Sequence, residues 1–241
     1  NFDAFMNGMQ SIGAQPVITI DYGSGTAQEA AGWVHYANKG GSGYNGPVPT
    51  YAGGSGSGHN YGIKYWEIGN EVYGNGTYGA SWETDNHTHS PATYASNVIA
   101  YSQAMKAVDS TIKIGAVVTA PGSWPDGVTN SASPQPWNTT VLSTACSSID
   151  YVIPHWYAQN PGSESDAGLL GTPSQIAGMV SSLRSEINQY CGSRASSIQI
   201  LVTETNSVSS NPGKQTVSTV NALFQADDYL NWLENGVANV D

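Results

Sequence analysis

The sequence predicts an α/β fold of the eight-stranded parallel-barrel type, (β/α)8, with part of the barrel present. Three observations carry that prediction. Apolar β-branched runs alternate with helix signals from end to end. The runs are continuously apolar rather than alternating, as expected for strands covered on both faces. No strand is followed by the Gly-rich fingerprint of a dinucleotide-binding, doubly wound sheet: Gly23-Ser-Gly25 is too short and lacks the third glycine.

The elements follow in order. Phe2 to Ile12 reads as a helix stopped by Gly13, and Pro16 to Tyr22 as a buried strand ending at Gly23. Thr26 and Glu29 have capping-box spacing and open a helix to Asn38. The Gly-rich stretch 39–60 is a loop, and Ile63 to Glu71 is the second strand. Ser90 as N-cap and Pro91 as first helical residue start a helix to about Ser110, before the strand Ile112 to Val118. The next strand is Ile149 to Tyr157. Thr172-Pro173 then opens a helix whose Ile176, Met179, Val180, Leu183 and Ile187 form one stripe, and Ile198 to Asn206 is the fifth strand. A helix from Thr216 to Asn235 and the start of a strand at Val237 to Asp241 complete the chain. Five strands and the start of a sixth, with the chain opening in a helix and closing in a strand, make residues 1–241 one barrel domain excerpted from a longer polypeptide. An open parallel sheet exposes its edges, so the excerpt is not expected to fold alone.

Composition narrows the function. With 241 residues and 39% apolar content the chain can bury a sizeable core. No apolar run approaches the roughly 18 residues of a membrane span, and no retained signal peptide is visible. A net charge of -11 has the wrong sign for nucleic acid or anionic membrane surfaces. Only 10% of residues are charged, which suits a secreted protein wetted by hydroxyls and amides. Trp 7 and Tyr 14 against Phe 3 favours rings with a polar handle, suited to sugars or to structural roles. Cys146 and Cys191 read as a disulfide, worth about 3–4 kcal/mol in the chain-entropy picture, with two free thiols as the alternative. Asn75-Gly-Thr77, Asn86-His-Thr88 and Asn138-Thr-Thr140 match the glycosylation acceptor.

In such a barrel the chemistry sits where strands end. The candidates are Asp21 and Tyr22, Asn70 and Glu71, Thr119, then His155, Trp156 and Tyr157, and finally Glu204 and Asn206. Glu71 and Glu204 tip two otherwise apolar runs, YWEIGNE and IQILVTE. A carboxylate there is costly to desolvate, so it has a partner or a job. Two glutamates across a barrel mouth are what glycoside hydrolysis requires, one to protonate the leaving oxygen and one to attack the anomeric carbon. Cation pairing is the alternative, and Lys64 is the one cation on either glutamate's strand. Glu67 shares the parity of Glu71, so alternation must break near Gly69 for Asn70 and Glu71 both to reach the site; Glu67 is read as structural. His155 is either an orienting group or a satisfied core histidine. Asp85-Asn-His87-Thr-His89 has metal-like spacing but reads better as a solvated loop before Ser90. Trp82, Trp124 and Trp137 follow strands and are either stacking platforms at the rim, with Trp124 a substrate contact, or packing anchors. Two carboxylates supply proton transfer and nucleophile, so no cofactor and no metal is implied.

The segments YWEIGNEVYG, IPHWY and ILVTETN, preceded by PVITIDYGSGTAQEAAGWVHYAN, resemble clan A glycoside hydrolases, above all the α-L-arabinofuranosidases of family fifty-one and the related family thirty-nine. The resemblance spans nearly the whole chain. It implies a retaining double displacement with Glu71 as acid/base and Glu204 as nucleophile, Asn70 on the sugar 2-hydroxyl, Tyr157 orienting Glu204 and His155 lining the pocket. The expected substrate is a plant-type polysaccharide or its side chains, arabinofuranoside first; β-xylosidase, β-glucan hydrolase and a non-catalytic sugar-binding barrel are the other readings. Relatives commonly carry an aromatic where this chain has Thr205-Asn206.

Overall fold

The structure is a computed structural model that describes residues 2–40, 46, 58–74, 85–121, 136–210 and 213–241. Its strands are β1 (Val17–Ile20), β2 (Tyr65–Ile68), β3 (Lys113–Val118), β4 (Tyr151–Pro154), β5 (Trp156–Tyr157), β6 (Gln199–Val202), β7 (Thr205–Asn206) and β8 (Asn239–Val240). The helices are α1 (Phe2–Ile12), α2 (Ala27–Asn38), α3 (Pro91–Val108), α4 (Trp137–Ala145), α5 (Asp166–Leu169), α6 (Ile176–Tyr190) and α7 (Thr219–Glu234).

Six strands form one parallel sheet in the order β1-β2-β3-β4-β6-β8. That order never reverses, so every crossover advances in the same direction, as in a barrel wall; a doubly wound sheet would switch direction at its ligand crevice. The fold is an α/β half-barrel. Side chains separate by parity onto two faces. Trp66, Ile68, Ile114, Ala116, Val118, Val152, Ile200 and Val202 join the large core beneath the helices. Tyr151, Ile153 and Leu201, with Tyr65 against them, form a small second cluster on the other face.

Local chemistry explains the helix boundaries. Thr26 Oγ1 accepts from Glu29 N and donates to its carboxylate, and Ser90 Oγ accepts from Thr93 N behind Pro91. All five apolar stripe residues of α6 are buried, each contributing about 1.5–3 kcal/mol relative to exposure. The helix starts at Ile176 rather than Thr172, because Thr172–Gln175 forms a 3-10 turn first. The disulfide Cys146–Cys191 joins the ends of α4 and α6, with Cα atoms 5.3 Å apart. None of the described helices is long and apolar enough to cross a membrane.

Helix α4 departs from the sequence reading, which placed no helix between the third and fourth strands. Its sequence, WNTTVLSTA, is rich in β-branched residues and its N-cap is Pro136 without a side-chain cap bond, so propensity and capping signals are both weak. Burial of Trp137, Val141, Leu142 and Ala145 stabilises it. Trp137 is therefore a packing anchor, not a rim platform: it is 1% exposed and its indole N–H donates to Val117 O. Asn138 is fully buried and bonded to Thr119 and Glu186, so it is no glycosylation acceptor. Trp82, Trp124, the Asn75 acceptor and most of the Gly-rich loop lie outside the described residues.

Candidate active site

Glu71 reaches the strand-end face through a backbone reversal. Gly69 has φ +79° and Glu71 itself φ +44°, so strand alternation breaks where the sequence required it to. A Cβ on Gly69 would lie 2.9 Å from Tyr22 Cβ and 3.0 Å from Val72 Cγ1, so backbone and ring pack closer than any other residue allows. Asn70 sits half-buried in this turn.

The fourth and fifth predicted strands are each interrupted at the site. β4 ends at Pro154 and β5 resumes at Trp156; β6 ends at Val202 and β7 resumes at Thr205. His155, Thr203 and Glu204 occupy the breaks. Pairing resumes beyond them, with Trp156 N donating to Glu204 O and Ala158 N to Asn206 O. Trp156 points outward and packs on Phe224 and Trp232 of α7. The same helix holds the second break: Thr205 Oγ1 donates to Asp228, and Gln225 Nε2 donates to Asn206 Oδ1.

Four predicted site residues meet. His155 Nδ1 lies 2.8 Å from Glu71 Oε1 and 3.6 Å from Glu204 Oε2, while its Nε2 lies 3.0 Å from Thr203 Oγ1. Tyr157 OH donates to Glu204 Oε2 at 2.6 Å. One oxygen of each glutamate and the imidazole nitrogen lie within 4.8 Å of one another. The Glu71 side chain is 17% exposed and that of Glu204 39%, so the first is the more desolvated. Burial alone would lower the His155 pKa, but the hydrogen bond to Glu71 and the charges of Glu204 and Glu71 outweigh it and raise the imidazole. Burial, then the hydrogen bond to Glu204, raises the Tyr157 phenol, keeping it a donor. Lys64 donates to Thr111 rather than to a glutamate.

Beside Glu204 opens a polar cleft of about 560 Å³ lined by Tyr157, Thr203, Asn206, Ser209, Ser210 and Asp241. Asn206, which lines this cleft, accepts through Oδ1 from Ser207 N and Gln225 Nε2, which fixes the amide. Thr203, and the roles of Gln225 and Asp228 on the expected last helix, were missed in the sequence; the one signal for Thr203 is its place next to Glu204.

Two expectations are corrected. Tyr22 is 1% exposed, with its hydroxyl accepting from Asn97 and its ring stacked on His87, so it is a core residue supporting Gly69 and not a substrate contact. Thr119 is buried and engaged with Asn138. Among the described residues Asp85 pairs with His87, at 2.7 Å. Among the described residues, Glu71, His155 and Glu204 are the group close enough to hold a cation; the His155–Glu71 hydrogen bond and the 3.6 Å His155–Glu204 ion pair account for the arrangement, and none is assigned as a metal ligand.

No protein-family profile matches the chain. A curated relative, the probable α-L-arabinofuranosidase C of Aspergillus clavatus, is 32% identical over 116 residues, 46% of this chain and 20% of that protein. The α-L-arabinofuranosidase C of Emericella nidulans is 29% identical over 160 residues, 64% of this chain and 29% of that protein. Among solved structures, the α-L-arabinofuranosidase of Thermotoga maritima in its arabinose complex matches with TM-score 0.75 and 26% identity, covering 100% of this chain and 46% of that one. The family fifty-one enzyme of Thermotoga petrophila matches with TM-score 0.74 and 26% identity, over 99% of this chain and 45% of that one. A family forty-four endoglucanase from Clostridium thermocellum, 14% identical, shares the fold alone at TM-score 0.62 over 98% of this chain and 58% of that one. The chain thus spans less than half the length of the arabinofuranosidases it matches. In sequence and in fold it is similar to the α-L-arabinofuranosidases of glycoside hydrolase family fifty-one, a clan A resemblance carried by both.

Proposed function

We propose that the chain carries the catalytic carboxylates of a retaining glycoside hydrolase acting on α-L-arabinofuranosides of plant-type polysaccharides, within a (β/α)8 barrel to which residues 1–241 contribute one domain's larger part. The observation that carries the reading is the placement of Glu71 and Glu204 at two strand ends, within 4.8 Å and bridged by His155. Close carboxyls suit attack by one of them; inverting enzymes hold theirs roughly 6.5–9.5 Å apart to admit water.

In the first step Glu71 gives its proton to the glycosidic oxygen as the bond to the anomeric carbon breaks, and Glu204 attacks that carbon to form a glycosyl ester. Glu71, now ionised, takes a proton from water, whose oxygen displaces Glu204 and releases the sugar. His155 positions Glu71, and Tyr157 holds the Glu204 carboxylate through Oε2. Asn70 and the Asn206 amide are assigned to sugar hydroxyls. The disulfide and the low-charge surface support an extracellular setting.

The test is turnover of aryl α-L-arabinofuranoside, β-xyloside and β-glucoside by the intact protein. The arabinofuranoside should be fastest, and Glu71→Gln and Glu204→Gln should each lower kcat at least about a thousandfold. Faster turnover of another glycoside would reassign the sugar. Sugar binding without turnover, unaffected by Glu204→Gln, would replace the enzyme by a binding barrel.

A further inference from the structure

One ionisable side chain beside the carboxylate pair has no part in the chemistry above. Glu67, on β2, is 4% exposed. Its register partner on β1, Thr19, donates a hydrogen bond to Oε1. Its register partner on β3 is Gly115, which offers no side-chain donor; the Tyr151 ring occupies the space a Cβ there would need. Among the described residues no donor meets hydrogen-bond geometry at Oε2, although the Thr203 hydroxyl lies near enough to pull on the carboxyl, and the ion pairs of lysine and arginine go elsewhere. The titratable groups around Glu67 are His155 after β4, Glu204 after β6, Tyr151 on β4 and Tyr94 on α3. Thr203, whose hydroxyl meets His155 Nε2, also faces it.

An ionised Glu67 would add a further negative charge beside the one imidazole that the Glu71–Glu204 pair already shares, with a poorly satisfied oxygen in a buried site. A carboxylic acid avoids that and keeps its bond to Thr19. We infer that Glu67 is a positioning residue of the site, an uncharged acid that supports Thr203 and His155 from within the sheet and leaves the imidazole to Glu71 and Glu204. Burial also pushes this carboxyl above the usual range, against the opposing pull of Thr19 and His155. Only the effect on turnover rests on the hydrolase reading.

The test follows the His155 imidazole by NMR titration in the intact protein without substrate, so that it stands whether or not the protein turns over a glycoside. Glu67→Gln should leave the His155 midpoint within about 0.3 unit of the parent, and the parent-minus-variant infrared difference spectrum at neutral pH should contain the stretch of one protonated carboxyl. Glu67→Leu should lower kcat about tenfold or more with KM little changed, and Glu67→Gln should restore it. A fall of about one unit or more in the His155 midpoint on Glu67→Gln, or no protonated-carboxyl stretch in that difference spectrum, would overturn the inference by showing an ionised Glu67. So would a Glu67→Leu variant with parental kcat and parental His155 signals.

Discussion

Replacing Gly69 by alanine puts two separate costs on one residue. At φ +79° an L side chain costs about 1–2 kcal/mol. The added Cβ would also meet Tyr22 Cβ at 2.9 Å and Val72 Cγ1 at 3.0 Å. Tyr22 cannot retreat, because its ring is enclosed by His87, Tyr94 and Tyr101, and overpacking of this kind costs about 1–3 kcal/mol. Gly69→Ala should therefore lose about 2–5 kcal/mol, which for a protein of this size lowers Tm by roughly 4–20 °C. The turn also delivers Glu71 to His155, and a displacement of about 1 Å there would lower kcat about a hundredfold. Thermal unfolding and kcat, measured on the same preparation, check both parts. A variant that melts within about 1 °C of the parent and keeps its kcat would refute the argument that this backbone reversal is required.

Asp228 gives a stability prediction with a definite sign. Burial raises its carboxyl from 3.8 to about 6 against the pull of Thr205, so the stabilising contribution is complete below pH 4 and is lost as pH rises through 6. Relative to Asp228→Asn, the parent should lose about 3 kcal/mol between pH 3.5 and pH 7 in urea unfolding; parallel pH dependences would contradict this. Tyr157→Phe removes the 2.6 Å bond to Glu204 and should lower kcat about 10–100-fold with little change in KM, since hydrogen bonds to charged groups contribute about 1.5–3 kcal/mol; an unchanged kcat would remove Tyr157 from the site. Replacing Cys146 and Cys191 by serine should cost about 2–4 kcal/mol in urea unfolding and leave kcat unaltered, because the bridge joins helix ends in the outer layer.

Legibility in the sequence followed burial pattern. Strands covered on both faces announced themselves as apolar runs, and the strand-end rule then singled out Glu71, His155, Tyr157 and Glu204, which the structure brings together. The break at Gly69 was legible because two adjacent residues both had to reach one face. What periodicity does not encode is where a strand is interrupted: the runs 149–157 and 198–206 read as continuous, yet each opens at a site residue. Nor does it separate a buried aromatic from a rim one. Tyr22 and Trp137 occupy positions that a rim residue would, and only packing against Asn97, His87 and Val117 assigns them to the core. Helix α4 was invisible because tertiary burial, not propensity, forms it. Asp228 reads as one more polar residue on a helix until its contact with Thr205 shows that it holds the strand beside Glu204.

The most direct test of the account is to inactivate the intact protein with a fluorinated arabinofuranosyl donor and map the labelled peptide by mass spectrometry. A single covalent sugar on Glu204, absent from Glu204→Gln, is the predicted result. Turnover without a covalent intermediate, or a label on any other residue, would contradict the assignment of Glu204 as nucleophile and the double displacement with it.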